Sequence, residues 1–244
     1  MAFRFTLSAV GQVRSLTKGK FMNEMQRAML FQKYEKATLK KYKKKLRENG
    51  SLIFAVNLVA TLHRDAEDAV DDVKRQGVRF ACGKGCNHCC STRVEVLPAE
   101  AFYIAKKLKE NKPDDLPQLI EALEHHAVKA YGVRMEDYKI PCPLLKDGIC
   151  SIYSYRPFMC RKFNSIDIEP CKEHLASIPE ADALVTMTAA IGHSVGLAYE
   201  GKGLSSIPHE FGQALLVALT DEGALSAWSQ GQEVFPRIPE MVAS

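Results

Sequence analysis

Four cysteines fall within nine residues, in Cys82-Gly83-Lys84-Gly85-Cys86-Asn87-His88-Cys89-Cys90. The other four follow at Cys142, Cys150, Cys160 and Cys171, so every thiol of the 244-residue chain lies in one window of 90 residues. Thiols gathered this way can ligate metal, pair as disulfides or simply be buried. The choice depends on the redox compartment. Met1 to Val13 is apolar in places, but Arg14, Lys18 and Lys20 interrupt before any long apolar run, which is unlike a secretory signal. A cytoplasmic protein keeps its thiols reduced, and ligation is then the reading to prefer over disulfides. One alternative attaches to the first residues: no acid precedes Glu24 while Arg4, Arg14, Lys18 and Lys20 do, a composition shared with organellar transit peptides. A short basic lead-in is the plainer interpretation.

Cys82, Cys86 and Cys89 have the spacing C-x3-C-x2-C. Gly83 and Gly85 remove side-chain clashes and allow the backbone to wrap closely around an ion or cluster. Backbone amides in such a loop can donate to sulfur and soften its charge. Cys90 adjoins Cys89, and neighbouring side chains diverge where the backbone is extended, so the two sulfurs are expected to serve different metal atoms. Four thiolates around one divalent ion leave excess negative charge, which calls for cations nearby. Lys84, Arg156, Arg161 and Lys162 are the candidates. His88 and His174 could complete or replace ligands. Zinc ribbons usually carry paired C-x2-C knuckles, and only Cys86–Cys89 has that spacing here. Iron–sulfur ligation accepts more irregular spacing. The pattern therefore leans to an iron–sulfur cluster, with zinc as the alternative. Neither a phosphate-binding loop, a Ser-His-Asp grouping nor a paired-carboxylate site is evident.

Helices must position these thiols. Apolar content of 46% and charged content of 25% are ordinary for a globular chain able to bury a core. The longest apolar run, Leu52 to Ala60, is far short of the ~20 residues that span a bilayer. Lys20 to Arg47 has helix-forming composition without Gly or Pro, and Asn49-Gly50 stops it. Ser51 can cap a second helix over roughly Leu52 to Gln76, with Ala66, Ala69, Val70 and Val73 on one face. Its acids, Asp71 and Asp72 among them, belong to the outer face. Pro98 suits a first helical position with Glu100 in the first turn, and a helix runs to Glu110. Leu116 to Tyr131 is the next, with His125 and His126 expected at the surface. Asp147-Gly148 between apolar runs signals a hairpin joining the Cys142 and Cys150 segments. Arg156-Pro157 opens a short helix carrying Cys160 and Arg161. Glu180 to Glu200 reads as a small-residue helix, and Ser206 with Pro208 starts a last amphipathic helix through Leu219. The expected fold class is mainly α, with a small irregular cysteine-rich metal-binding core containing one short hairpin. Three regions follow: a basic helical region 1–77, a cysteine-cluster domain 78–175, and a C-terminal helical region 176–244 packing on it.

Charge is unevenly divided. Up to Arg47 there are 13 Lys and Arg against 2 Asp and Glu, whereas the remainder has 20 against 27. Lys40, Lys41, Lys43, Lys44 and Lys45 form a run that could contact a nucleic acid or another acidic partner through phosphate neutralisation. The plainer interpretation is a solvated helix surface.

The cysteine window also resembles a known group. Phe80-Ala81-Cys82 to Cys90 followed by Leu97-Pro98-Ala99-Glu100 is one half. Pro141-Cys142-Pro143-Leu144-Leu145, Gly148-Ile149-Cys150-Ser151-Ile152-Tyr153, Arg156-Pro157 and Cys160-Arg161 form the other. Together they resemble the YkgJ-like cysteine-cluster family, described as zinc- or iron-chelating domains, over about residues 78 to 175. The resemblance implies metal binding by Cys82, Cys86, Cys89, Cys90, Cys142, Cys150, Cys160 and Cys171. It implies nothing for the basic arm or the C-terminal helices. Two other classes of function stand beside a metal-binding protein. One is a cluster-dependent enzyme, since flagellin lysine N-methylases carry a similar cluster. The C-x3-C-x2-C spacing also equals that of radical S-adenosylmethionine enzymes, although their alternating strands and helices and their Gly-Gly-Glu stretch are missing. The other is a nucleic-acid or ribosome-associated factor using the basic arm.

Overall fold

The computed structural model describes residues 22–83, 85–173 and 178–239. Lys84 and His174 lie outside the described residues, as do the first 21 positions. The expected mainly helical class holds. Helices α1 (Glu24–Glu48), α2 (Leu52–Asn57), α3 (Val59–Arg75), α4 (Pro98–Asn111) and α5 (Leu116–Ala130) precede the second cysteine segment. Within that segment α6 (Phe158–Lys162) and α7 (Glu169–Lys172) are single turns; α8 (Asp182–Glu200), α9 (Phe211–Thr220) and α10 (Ala224–Ser229) follow.

Local chemistry sets the helix ends. Asn23 accepts from the Gln26 amide at 2.9 Å and the Gln26 side chain returns to the Asn23 amide at 3.0 Å, a reciprocal cap on α1. Ser51 accepts from the Phe54 amide at 3.2 Å, as its position suggests, and Pro98 opens α4. The expected single helix over 52–76 is instead two, α2 and α3, broken at Leu58.

The most extensive helix pair is α1 with α8. Thr38, Tyr42 and Leu46 form the buried side of α1. Polar links fasten the pair: Arg27 to Asp182 at 2.8 Å, the Thr38 hydroxyl to Ser194 at 2.8 Å, and His193 Nδ1 beside Glu35 at 2.8 Å. Helix α3 packs on α8 with Ala66, Ala69, Val70 and Val73 buried, the face its periodicity predicts. Helix α9 lies against α4 and α5, and Trp228 of α10 is fully enclosed beside Phe102 and Tyr199. The Trp228 indole N–H is satisfied by the Ser205 carbonyl at 2.9 Å. Burying a large apolar side chain of this kind contributes ~1.5–3 kcal/mol, and these side chains form one cluster running through α1 to α4 and α8 to α10.

The Asp147-Gly148 turn is present, joining β2 (Leu145–Lys146) to β3 (Ile149–Cys150). Its two residues have φ of 50° and 75°, the left-handed pair that the twist of a two-residue hairpin demands. A second antiparallel pair was not expected: β1 (Glu95–Val96) pairs with β4 (His209–Glu210), Val96 opposite His209. That pairing takes residues 206–210 out of the expected last helix, which begins only at Phe211.

His126 was expected at the surface and is buried. Its Nε2 lies 3.1 Å from Glu210 Oε1, and the Tyr138 hydroxyl donates to that same oxygen at 3.0 Å. Glu210 also caps α9 through the amides of Gly212 (3.1 Å) and Gln213 (2.7 Å). A Cβ at position 212 would collide with the His126 ring, so glycine is required there for the helices to approach. Adjacent residues 125 and 126 differ because only the latter faces α9.

Candidate metal centre

Among the described residues of the cysteine loop 82–91 there is little regular structure beyond a 3-10 turn over His88–Ser91. Two other segments clasp it. On one side the Ala81 amide donates to the Ser165 carbonyl at 2.8 Å, and the Ser165 amide donates to Cys82 Sγ at 3.2 Å. Helix α7, which carries Cys171, rests against the 3-10 turn. On the other side the Cys142 amide donates to the Cys90 carbonyl at 2.7 Å, and the Asn87 side-chain amide donates to the Gly148 carbonyl at 3.1 Å. Gly148 therefore has two reasons to be glycine, its positive φ and the Asn87 amide against which a Cβ would press. Gly85 has φ +87° and needs glycine for its backbone, whereas a Cβ at Gly83 would meet no protein atom within 4 Å.

Two buried groups seat the second half. Glu100, with 2% of its surface exposed, takes the Leu97 amide at 3.2 Å and the Phe158 amide at 2.7 Å. It thus caps α4 and holds the start of α6, the turn that carries Cys160. Arg161 is equally enclosed. Its Nε donates to the Arg156 carbonyl at 3.0 Å, one terminal nitrogen to the Ser154 carbonyl at 2.6 Å, and the other to Glu67 of α3. Arg161 is thereby committed to the loop between Cys150 and Cys160. Arg156 is not buried this way: it stacks over the Tyr153 ring at 3.9 Å, and its charge favours the thiolates of Cys89, Cys150 and Cys160. The two arginines, equivalent by sequence, have separate tasks. The reach of Glu100 to Phe158 and of Glu67 to Arg161 was not apparent from the sequence, because each spans more than 50 residues and neither pair belongs to a local pattern.

All eight cysteines are free thiols, half-buried except for the buried Cys171. Their mutual influence divides them. Cys82 is pushed up to about 11, first by burial, with Cys86, Cys89 and Cys171 adding repulsion. Cys171 is raised by burial and by Cys86 and Cys89. Cys142, also pushed up to about 11 by burial, feels Cys150 and Cys89. Cys160 is raised well above the ordinary thiol range by burial and by Cys89, Cys142 and Cys150. Cys89 acts on both sets, and it is raised in turn by its neighbour Cys90 and by burial. The backbone at 89–90 is a 3-10 turn rather than extended, so the extended geometry expected to splay the two sulfurs is not present.

The donor set suits a thiophilic metal. Buried thiols that repel one another as thiolates lack only positive charge, and a bound cation deprotonates such ligands outright. Among the described residues, no three Cys, His, Asp or Glu side chains are already converged closely enough to hold an ion. Coordination would draw the thiols inward from this arrangement, as where metal binding and local folding are coupled. Among the described residues, no helix is long and apolar enough to cross a membrane.

No curated protein and no solved structure matches the chain. Residues 81–181 match the family model CxxCxxCC, "Putative zinc- or iron-chelating domain", a span that takes in all eight cysteines and ends just before α8. Over this segment the chain is similar to the CxxCxxCC zinc- or iron-chelating domains, the family to which YkgJ-like proteins belong.

Proposed function

We propose that this is a metal-binding protein whose eight cysteines hold an iron–sulfur centre in two halves that share one corner. Cys82, Cys86 and Cys171 form one half, Cys142, Cys150 and Cys160 the other, and Cys89 with Cys90 the corner between them. The observation that supports this is the position of the 3-10 turn bearing Cys89 and Cys90: α7 with Cys171 packs against it on one side, and on the other the Cys142 amide donates to the Cys90 carbonyl at 2.7 Å. Three thiols and one corner thiol make four, the complement of a [2Fe–2S] or [4Fe–4S] cluster and equally of one structural zinc ion. Irregular spacing within each half supports iron–sulfur over zinc. A cluster would supply one-electron transfer. The chain's own contribution is to bury the sulfurs, to place the Ser165 amide on Cys82, and to hold Arg156 near the Cys142–Cys160 half. The ligands all fall within the proposed domain 78–175.

Metal and acid-labile sulfide, measured on protein purified without oxygen, test the reading. Iron with matching sulfide supports it. Zinc without sulfide replaces the cluster with a structural ion on the same thiols. Eight free thiols and no metal would remove the proposal altogether. Cys89→Ser is expected to deplete metal from both halves, whereas Cys171→Ser and Cys150→Ser each spare the opposite one.

A further inference from the structure

The lysine run of α1 is not one surface. Lys41 turns to Asp65, which also accepts the Tyr42 hydroxyl at 2.6 Å, and Lys45 is half-buried. Lys40, Lys43 and Lys44 are exposed, and three cations that lie outside the Lys40–Lys45 run join them: Lys33, Lys36 and Arg47 are exposed too. At 3.6 residues per turn these six fall in one sector of roughly 100°, and at 1.5 Å per residue they extend over ~21 Å. No acid lies in that sector. Among the described residues their one ion-pair partner is Glu48, 3.6 Å from Lys44, with both side chains well exposed.

We propose that this stripe is a docking surface for the phosphate backbone of a nucleic acid. Like charges at successive turns of a helix repel, and among the described residues only Lys44 of the six is paired, so a polyanion laid along the row would relieve that repulsion. A phosphate chain presents negative charge at regular intervals of a few ångströms, matching cations that recur every three or four residues. The stripe is held rigid because Thr38, Tyr42 and Leu46 on the opposite side are buried against the body of the protein. That same burial argues against a membrane surface: α1 has no free apolar face along the stripe to lay into lipid, only Met25 and Met29 at its first turns. No aromatic or amide side chain interleaves with the six, so the contact is to backbone phosphates without sequence preference.

The test uses the full chain with its metal. Fluorescence anisotropy is followed with a labelled 20-nucleotide single-stranded RNA and a 20-base-pair DNA duplex over a range of KCl. Six phosphate contacts predict a log–log salt slope of about −4 on the single strand or about −5 on the duplex. The triple variant Lys36→Gln, Lys40→Gln, Lys43→Gln is expected to halve the slope and weaken binding by ~100-fold at low salt. Lys109→Gln with Lys129→Gln, which removes the same kind of exposed charge from α4 and α5, should leave binding unchanged. Unaltered metal content and helical circular dichroism in the triple variant show that the loss is one of contact rather than of folding. Binding of neither oligonucleotide at micromolar protein, equal binding by the triple variant, or binding only to phosphatidylserine vesicles or polyglutamate would each overturn the proposal.

Discussion

The helical frame and the cysteine loops are held together by different physics. In the frame, α1, α3, α4, α8 and α9 share one apolar cluster, and buried polar groups such as Thr38, Ser194, Asp65 and Tyr42 are satisfied by one another. In the loops, none of the described residues from 81 to 91 is fully buried, and the segments are joined by a few hydrogen bonds: Ala81 to Ser165, Ser165 to Cys82, Cys142 to Cys90, Asn87 to Gly148. Among the described residues the buried apolar anchors are few, Leu144, Ile152 and Phe158 with the Cys171 side chain, while Phe80, Tyr155 and Ile166 pack against the core only in part. A frame of the first kind is stable by itself. A set of loops whose buried sulfurs would repel one another as thiolates needs either protons on those sulfurs or a cation among them. The comparison teaches that the frame supplies position, while ligation is left to supply order.

The sharpest way to break this contrast is to remove the metal. Apparent binding free energies of structural metal sites are on the order of 10 kcal/mol, and that stabilisation should be lost from the loops alone. Hydrogen exchange after chelation under reducing conditions is expected to accelerate at 81–92 and 141–173, with α1, α3 and α8 protected as before. Uniform loss of protection would show that frame and loops are one cooperative unit.

Trp228→Ala attacks the frame instead. Loss of a fully enclosed tryptophan costs ~3–5 kcal/mol, to be read from denaturant unfolding. Metal stoichiometry of the protein that remains folded should not change. Glu100 is where the two regions meet, and its replacement by Ala strands the Leu97 and Phe158 amides in a buried site. A cost of ~1–3 kcal/mol for each unpaired group is expected. Unlike Trp228→Ala, this variant should also lower metal occupancy, because α6 carries Cys160. Glu100→Gln, able to keep one amide contact, should fall between.

The smallest effect concerns pH. Burial by itself would raise the Glu210 carboxyl, but His126 and the amides of Gln213 and Gly212 outweigh it and hold it below its ordinary value of 4.5. The unfolded chain then binds more protons than the native state below that value, so stability rises with pH through this range. The contribution is complete above about pH 4.5 and is lost as pH falls through the depressed native value. Glu210→Gln should flatten the acid limb of an unfolding-versus-pH curve. An unchanged limb would show that the His126–Glu210 contact carries no linkage.

Much of the frame was legible because its signals are local. Ser51 as a cap, Pro98 with Glu100 at the start of α4, the Ala66–Val73 face and the Asp147-Gly148 turn each depend on residues a few positions apart. The break at Leu58 and the β1–β4 pairing were hidden, since residues more than 110 positions apart decide the second. The eight candidate ligands were legible as well, by residue type and clustering. Their proposed grouping was not: sequence order sets Cys89 and Cys90 with Cys82 and Cys86, while the fold also joins the Cys142 amide to the Cys90 carbonyl.

By itself, then, the amino-acid sequence determined which helices form, which residues can ligate metal and where positive charge accumulates, because propensity, donor chemistry and formal charge belong to residues and their near neighbours. The tertiary structure alone decided that His126 is buried and His125 is not, and that Arg161 binds the loop while Arg156 faces the thiols. It alone left Lys33, Lys36, Lys40, Lys43, Lys44 and Arg47 exposed together, by burying the opposite side of α1. Burial and electrostatic neighbourhood are properties of packed elements, and no stretch of chain carries them before it meets its partners.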